Sequence, residues 1–139
     1  MKSYLLDTNI CIFYIKGKFN LRTKFAGIRA ENLFISEITL AELKYGVENS
    51  ELIEKNRAAL ADFLTGVQIL PISQALDTFA YEKARLRKSG QLIDDFDLLI
   101  GTSAVAYGLT LATNNTAHLA RVRGIILEDW TLDAAPPNA

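Results

Sequence analysis

Apolar positions along this chain fall into short runs and spaced stripes, and the two alternate. Residues 3–6, SYLL, form a strand-like run that stops abruptly at Asp7, Thr8 and Asn9. Residues 10–15, and then 21–30, read as helical. Leu33, Phe34 and Ile35 make a second strand, because β-favouring side chains dominate it. A helix is predicted over 39–48, ending near Gly46 and Asn49. Across 52–65, Ile53, Leu60, Phe63 and Leu64 share one stripe at helical spacing. Residues 67–70 give a third strand, stopped by Pro71. The segment 73–89 is a long amphipathic helix with Leu76, Phe79, Ala80, Ala84 and Leu86 apolar, closed by Gly90. Residues 95–107 predict a helix whose small side chains, Gly101, Thr102, Ser103, Ala104 and Ala106, let it lie close to a sheet. Gly108 ends it, and 110–112 and 124–127 supply a fourth and a fifth strand.

Short strands alternating with helices predict an α/β fold, a parallel sheet of four to five short strands with helices on both faces. No repeat or interior linker divides the chain, so a single domain is expected over 1–133. The last residues, 134–139 (AAPPNA), are too poor in apolar bulk to be core and are expected to form a flexible tail. In such sheets the crossovers are right-handed, and ligands bind beyond the carboxyl ends of the strands where strand order reverses.

Composition narrows the class. Of 139 residues, 50% are hydrophobic and 22% charged, an ordinary soluble globular balance. No apolar stretch approaches the ~20 residues that span a bilayer, and Asp7 and Asn9 interrupt any signal-peptide pattern. The single cysteine, Cys11, can form no internal disulfide and is expected to pack as a small hydrophobe, in a reducing cytoplasm. The net charge of −1 argues against gripping nucleic acid by blanket positive charge. Basic residues nevertheless cluster: Lys16, Lys18, Arg22, Lys24 and Arg29; then Lys83, Arg85, Arg87 and Lys88; then Arg121 and Arg123. Each cluster reads first as a solvated helix face, and second as a basic rim around an acidic centre.

The predicted carboxyl edge of the sheet collects that centre. Asp7 follows the first strand, Glu42 opens the helix after the second, and Asp97 opens the helix leading to the fourth. Asn115 lies just past the fourth strand. Capping explains each acid singly: Asp7 suits an N-cap, Thr39-x-x-Glu42 matches a capping box, and Asp94, Asp95 and Asp97 suit a helix start. Together the acids need more, because carboxylates gathered within a few ångströms repel without a counter-charge. A hard divalent cation such as Mg²⁺ or Mn²⁺ supplies it through oxygen ligands. The three acids are then expected around one cation-sized gap. One cysteine and one histidine, His118, are too few for a usual zinc site.

Four pieces of the chain carry a family likeness: LLDTNICIFYIKGK, ISEITLAELKYGVENS, DDFDLLIGTSAVAYGLTLATNNTAHLARV and LEDW. Together they cover nearly the whole length, and the first three each hold one acid. The chain resembles the PIN-domain ribonucleases, and within them the VapC toxins of type II toxin–antitoxin pairs. The resemblance implies a three-layer α/β/α fold, Mg²⁺- or Mn²⁺-dependent RNA cleavage, a homodimer, and neutralisation by a VapB-like antitoxin. Carried over by position, the metal-site acids are Asp7, Glu42 and Asp97. Thr8 or Thr113 would support the site through a hydroxyl, and Asn9 would hold the first turn. Asp94 and Asp95 are taken as caps or electrostatic neighbours, since Asp97 alone precedes LLIGTSA. Where many relatives carry a fourth acid this chain has Asn115, which points to one metal with another recruited by substrate.

Water attacking in line would leave a 5′-phosphate and a 3′-hydroxyl, with transfer RNA a likelier target class than ribosomal RNA on the family pattern. His118 reads as a surface helix residue. Phe13, Tyr14 and Phe19 are candidates to stack an unpaired base, set against a role as core. Other functions fit less well. A phosphatase of the haloacid dehalogenase type needs a second acid at position 9, which is asparagine. A receiver domain needs an aspartate closing the third strand, where the chain reads VQILPIS, and a dinucleotide-binding module needs a glycine-rich first turn, which LLDTNI lacks. A non-catalytic PIN-like RNA-binding or scaffold protein is the remaining alternative.

Overall fold

The computed structural model describes residues 2–132. The expected tail, 134–139, lies outside them, as do residues 1 and 133.

Asp7, Ser36 and Asp94 each cap a helix through a side-chain oxygen, and at Asp7 and Ser36 this makes a tight strand-to-helix transition. In chain order the elements are β1 (Tyr4–Leu6), α1 (Thr8–Ile15), α2 (Leu21–Ala26), β2 (Leu33–Ser36), α3 (Glu37–Glu48), α4 (Ile53–Leu64), β3 (Gln68–Leu70), α5 (Leu76–Lys88), α6 (Asp95–Tyr107), β4 (Thr110–Ala112), α7 (Thr116–Leu119) and β5 (Leu127–Glu128). Short 3₁₀ turns precede β2 and α5.

All strand pairings are parallel, in the order β3-β2-β1-β4-β5. The order reverses at β1, which lies between β2 and β4, and Asp7 is the residue that leaves it. Alternation along β1 splits the core. Leu6 joins Ile10, Cys11, Leu21, Ile35, Leu43 and Phe63 on one face. Leu5 joins Ile100, Ala104, Leu111 and Leu119 on the other. Each face is thus covered by helices, which is the three-layer α/β/α arrangement. Cys11 is fully buried, as expected.

Several local expectations are revised. The second helical segment ends at Ala26 instead of 30, because Gly27 and the 3₁₀ turn Ala30–Asn32 intervene. Thr39 does not cap α3; Ser36 Oγ accepts from the Thr39 N–H at 3.2 Å, and Thr39 is buried inside the helix. Leu76 is exposed, while Glu82, absent from the predicted stripe, is buried on α5. The fifth strand begins at Leu127, after Gly124 adopts a φ of 82°. A short helix, α7, carries His118, expected on a surface helix whose limits the sequence did not mark. Gly101 serves it: a Cβ there would lie 3.0 Å from Leu119 and 3.4 Å from Val122, so the close approach is to α7 and the loop beyond it.

In the second basic cluster Arg87 and Lys88 are exposed, whereas Lys83 and Arg85 are engaged. Lys83 pairs with Asp95 at 2.9 Å. Arg85 binds Glu82 through two bonds, of 2.8 and 2.7 Å, and gives a third of 2.7 Å to the carbonyl of Arg121. The Arg123 N–H also donates to Glu82, at 2.7 Å. One buried carboxylate therefore ties α5 to the loop that follows α7.

Candidate active site at the carboxyl edge of the sheet

Asp7 is where the chain leaves the buried centre of the sheet, and it is only 4% exposed. Its backbone N–H continues the ladder to the Ala112 carbonyl at 2.9 Å. Its side chain is held twice. Oδ1 accepts from the Thr8 N–H at 2.8 Å, the capping bond, and Oδ2 accepts from the Thr113 hydroxyl at 2.7 Å. Thr113 in turn accepts from the Asn115 N–H at 2.9 Å. Burial pushes the Asp7 carboxyl above its ordinary range, and those two donors pull the other way. Capping and site formation are therefore not alternatives at Asp7; one side chain does both.

Glu42 reaches the same edge from the second turn of α3. The Thr8 hydroxyl donates to its Oε1 at 2.6 Å and lies 3.1 Å from the Thr39 hydroxyl. Thr113 is thus bonded to Asp7 and Thr8 to Glu42. Asp97 sits in the first turn of α6, with Asn115 Nδ2 at 3.5 Å, the limit of a hydrogen bond. Burial raises its carboxyl to about 6, reinforced by the negative charges of Asp7, Asp94 and Glu42, while His118 acts oppositely. Asn9, in the first turn of α1, donates its side-chain N–H to Asn114 Oδ1 at 3.4 Å.

Asp7, Thr8, Asn9, Glu42, Asp97 and Asn115 all line one cleft of about 770 Å³. The expectation of a single cation-sized gap needs correction. In the side-chain positions described, no three acidic, histidine or cysteine side chains among the described residues are grouped closely enough to hold an ion. The hydrogen bonds give the reason: both Asp7 oxygens and one Glu42 oxygen are already turned toward threonine and backbone donors, and like charges favour separation. The donor set itself is all oxygen, from carboxylates and one amide, which fits a hard divalent cation and not zinc.

Asp94 and Asp95 are outside this group. Asp94 caps α6 by accepting from the Phe96 N–H at 3.1 Å, and Asp95 pairs with Lys83. His118 is exposed on α7. Tyr14 is not free to stack a base, since it stacks on Phe25 at 4.2 Å between centroids and tilts against Phe63. Phe13 and Phe19 pack edge to face at 4.9 Å. The aromatics that do line the cleft, Tyr45 and Phe96, were missed. The signal was there: Tyr45 is three residues beyond Glu42 on one helix, and Phe96 adjoins Asp97.

The burial of Asp97 beside like charges gives a stability prediction. The folded protein holds its proton up to about pH 6, well after the unfolded chain has released it. Its contribution is therefore full in acid and is lost as pH rises through 6. In EDTA at pH 7.5, Asp97→Asn is expected to melt a few degrees above the parent, with the gap closing toward pH 4. Melts that stay parallel across that range would show that Asp97 does not feel its neighbours.

Comparison with known proteins gives the family. The PIN-domain family matches residues 4–125. A tRNA(fMet)-specific endonuclease VapC of Shigella flexneri is 38% identical over 133 residues, which is 94% of this chain and 100% of the relative. Ribonuclease VapC2 of Rickettsia felis is 40% identical, covering 91% of this chain and 97% of its own. Among solved structures, DNA-bound VapBC from Salmonella typhimurium superposes with a TM-score of 0.87 at 35% identity, over 94% of this chain and 99% of that one. With the parallel sheet, the acids at its carboxyl edge and these full-length likenesses, the chain belongs to the PIN-domain family, among its VapC ribonucleases.

Proposed function

We propose that this ribonuclease is the toxin of a toxin–antitoxin pair that cuts transfer RNA in the cytoplasm, with Asp7, Glu42 and Asp97 holding Mg²⁺ or Mn²⁺ and Asn115 beside them. The observation that carries the site assignment is the arrival of three acids from three separate connections in one cleft. The Shigella relative's stated tRNA(fMet) specificity supports tRNA over rRNA. The Salmonella complex with its antitoxin supports a VapB-like partner. We take 1–133 as a single catalytic domain and a homodimer as its working form. A non-catalytic scaffold would have no reason to keep these like charges together.

When bound, the cation would supply charge at the scissile phosphate and lower the pKa of an attacking water. The protein's own residues prepare for this. Thr113 and the α1 N-terminus fix Asp7, Thr8 orients Glu42, and Asp97 gives up its proton only near pH 6. In-line attack of water on phosphorus breaks the bond to the 3′ oxygen, leaving a 3′-hydroxyl and a 5′-phosphate.

Incubating the protein with a pool of transcribed tRNAs in Mg²⁺ and sequencing the new 5′-phosphate ends tests this reading. Cleavage at a defined loop is expected, and excess EDTA should abolish it. Undiminished cutting in EDTA would refute the metal assignment.

Inhibition gives a further prediction. The acidic cleft would accept a guanidinium as readily as a metal, and an apolar groove of Ile12, Ile15, Leu43, Val47 and Leu60 continues from it. An antitoxin tail should therefore lay apolar side chains in the groove and an arginine among the acids. Making that arginine alanine should weaken inhibition at least about tenfold, by loss of a charge-assisted pair, and rising Mg²⁺ should do likewise. Full inhibition by a tail stripped of every arginine and lysine would rule this out.

A further inference from the structure

Resting on the ribonuclease reading, we propose that Phe96 and Tyr45 stack the unpaired bases flanking the scissile phosphate and so select single-stranded RNA. Both are large aromatic side chains left in water, 48% and 68% exposed, and both line the cleft that holds Asp7, Glu42 and Asp97. Each is anchored next to an acid. Phe96 precedes Asp97, and the Asp94 cap on its N–H fixes the turn that presents it. Tyr45 lies on the same face of α3 as Glu42, one turn further on. A phosphate held at the acids would have its neighbouring bases in the cleft that these rings line.

Two observations favour a nucleic acid occupant. The cleft, at about 770 Å³, is far larger than an ion requires and has the size of sites that take ligands with rings. Gly46 lines it from the last turn of α3, and a Cβ there would meet no atom within 4 Å. Nothing in the packing requires glycine at that position, and the open space above it belongs to the cleft. Neutral rings beside an acidic centre attract a base by its π-face without adding charge that would repel the backbone. Stacking of this kind is tolerant of base identity, so the rings would choose unpaired over paired RNA, leaving the cut position to the shape of the loop.

The test uses a short single-stranded RNA spanning the mapped cut, with 2-aminopurine on either side of it, bound to Asp7→Asn protein in Mn²⁺. Stacking should quench the fluorescence. Adding Phe96→Ala or Tyr45→Ala should remove the quench on one side and weaken binding about 5- to 150-fold, the range for one base–aromatic stack. Phe96→Trp and Tyr45→Phe should keep both. In otherwise unsubstituted protein the alanine changes should raise KM by a similar factor with a smaller effect on kcat, and thermal melts should not move. A retained quench with unchanged KM would overturn the proposal. So would alanine variants that lose affinity for the antitoxin while binding RNA normally, since the rings would then belong to a protein interface. Cleavage by the parent together with either result removes stacking alone, whereas a parent that cleaves no RNA removes the ribonuclease reading and this inference with it.

Discussion

Replacing Asp7 by asparagine is expected to lower RNA cleavage by about a thousandfold while the protein stays folded. The size follows from the chemistry: charge stabilisation by a bound cation is worth several kcal/mol of barrier, and each 1.36 kcal/mol is tenfold in rate. Asp7 is the most deeply held of the three acids and stands at the point where strand order reverses. The fold should survive because the amide keeps the shape and its oxygen can still accept the capping N–H of Thr8. The Thr113 hydroxyl would lose its carboxylate acceptor, a cost offset by relief of a buried charge that burial already disfavours. Asp7→Ala differs in kind, since it also removes the cap and should cost about 0.5–2 kcal/mol of stability. The decisive comparison is cleavage rate, Mn²⁺ affinity by calorimetry and melting temperature for parent and both variants. Near-normal cleavage by Asp7→Asn would remove Asp7 from the site, and collapse of that variant on melting would make its role structural.

How far the sequence led depends on the range of the interaction. The limits of α6 and β4 coincide with the expected ones, because small-residue patterning and Gly108 are local signals. Asp7, Glu42 and Asp97 could be brought to one edge on paper because a parallel α/β sheet sends every strand's carboxyl end there. What the sequence could not show was which donors would hold them. Thr8 and Thr113 are 34 and 106 residues from their carboxylate partners, Glu42 and Asp7, and only the folded sheet brings such pairs together. The same limit explains the error at Thr39, where a capping-box pattern matched while Ser36 was the cap; at Tyr14 the core reading holds, through partners Phe25 and Phe63 that come from α2 and α4. Arg85 was counted among surface cations because its partner, Glu82, sits one turn away on the face of Phe79 and Leu86, where periodicity predicts an apolar side chain and not a buried acid.

That buried pair gives the second large effect. Arg85→Met is expected to destabilise the protein by about 3 kcal/mol, the lower end of what breaking one side of a buried ion pair costs. Glu82 is 2% exposed, and without Arg85 it would keep only the Arg123 N–H as a donor. The Arg85 side chain is 28% exposed, so water can enter beside Glu82 and the upper end of the range is not reached. Arg85 bonds hold the Glu82 carboxyl below its ordinary value. A lowered carboxyl pKa contributes stability above the unfolded value of about 4.5 and loses it as pH falls. The gap between parent and variant should therefore narrow toward pH 4, where Glu82 in the variant can take a proton. Replacing both residues by methionine should recover much of the loss, since the uncompensated charge is gone. The loop of Arg121 and Arg123 that the pair anchors directly follows α7, and Asn115, which lines the cleft, immediately precedes α7. Arg85→Met should thus also lower activity near its melting range before global unfolding. Denaturant melts at pH 7 and pH 4 for the single and double variants decide it: a single variant within about 0.5 kcal/mol of the parent, the range of ordinary surface changes, would show that the pair is a surface ornament and that α7 is held by its apolar contacts alone.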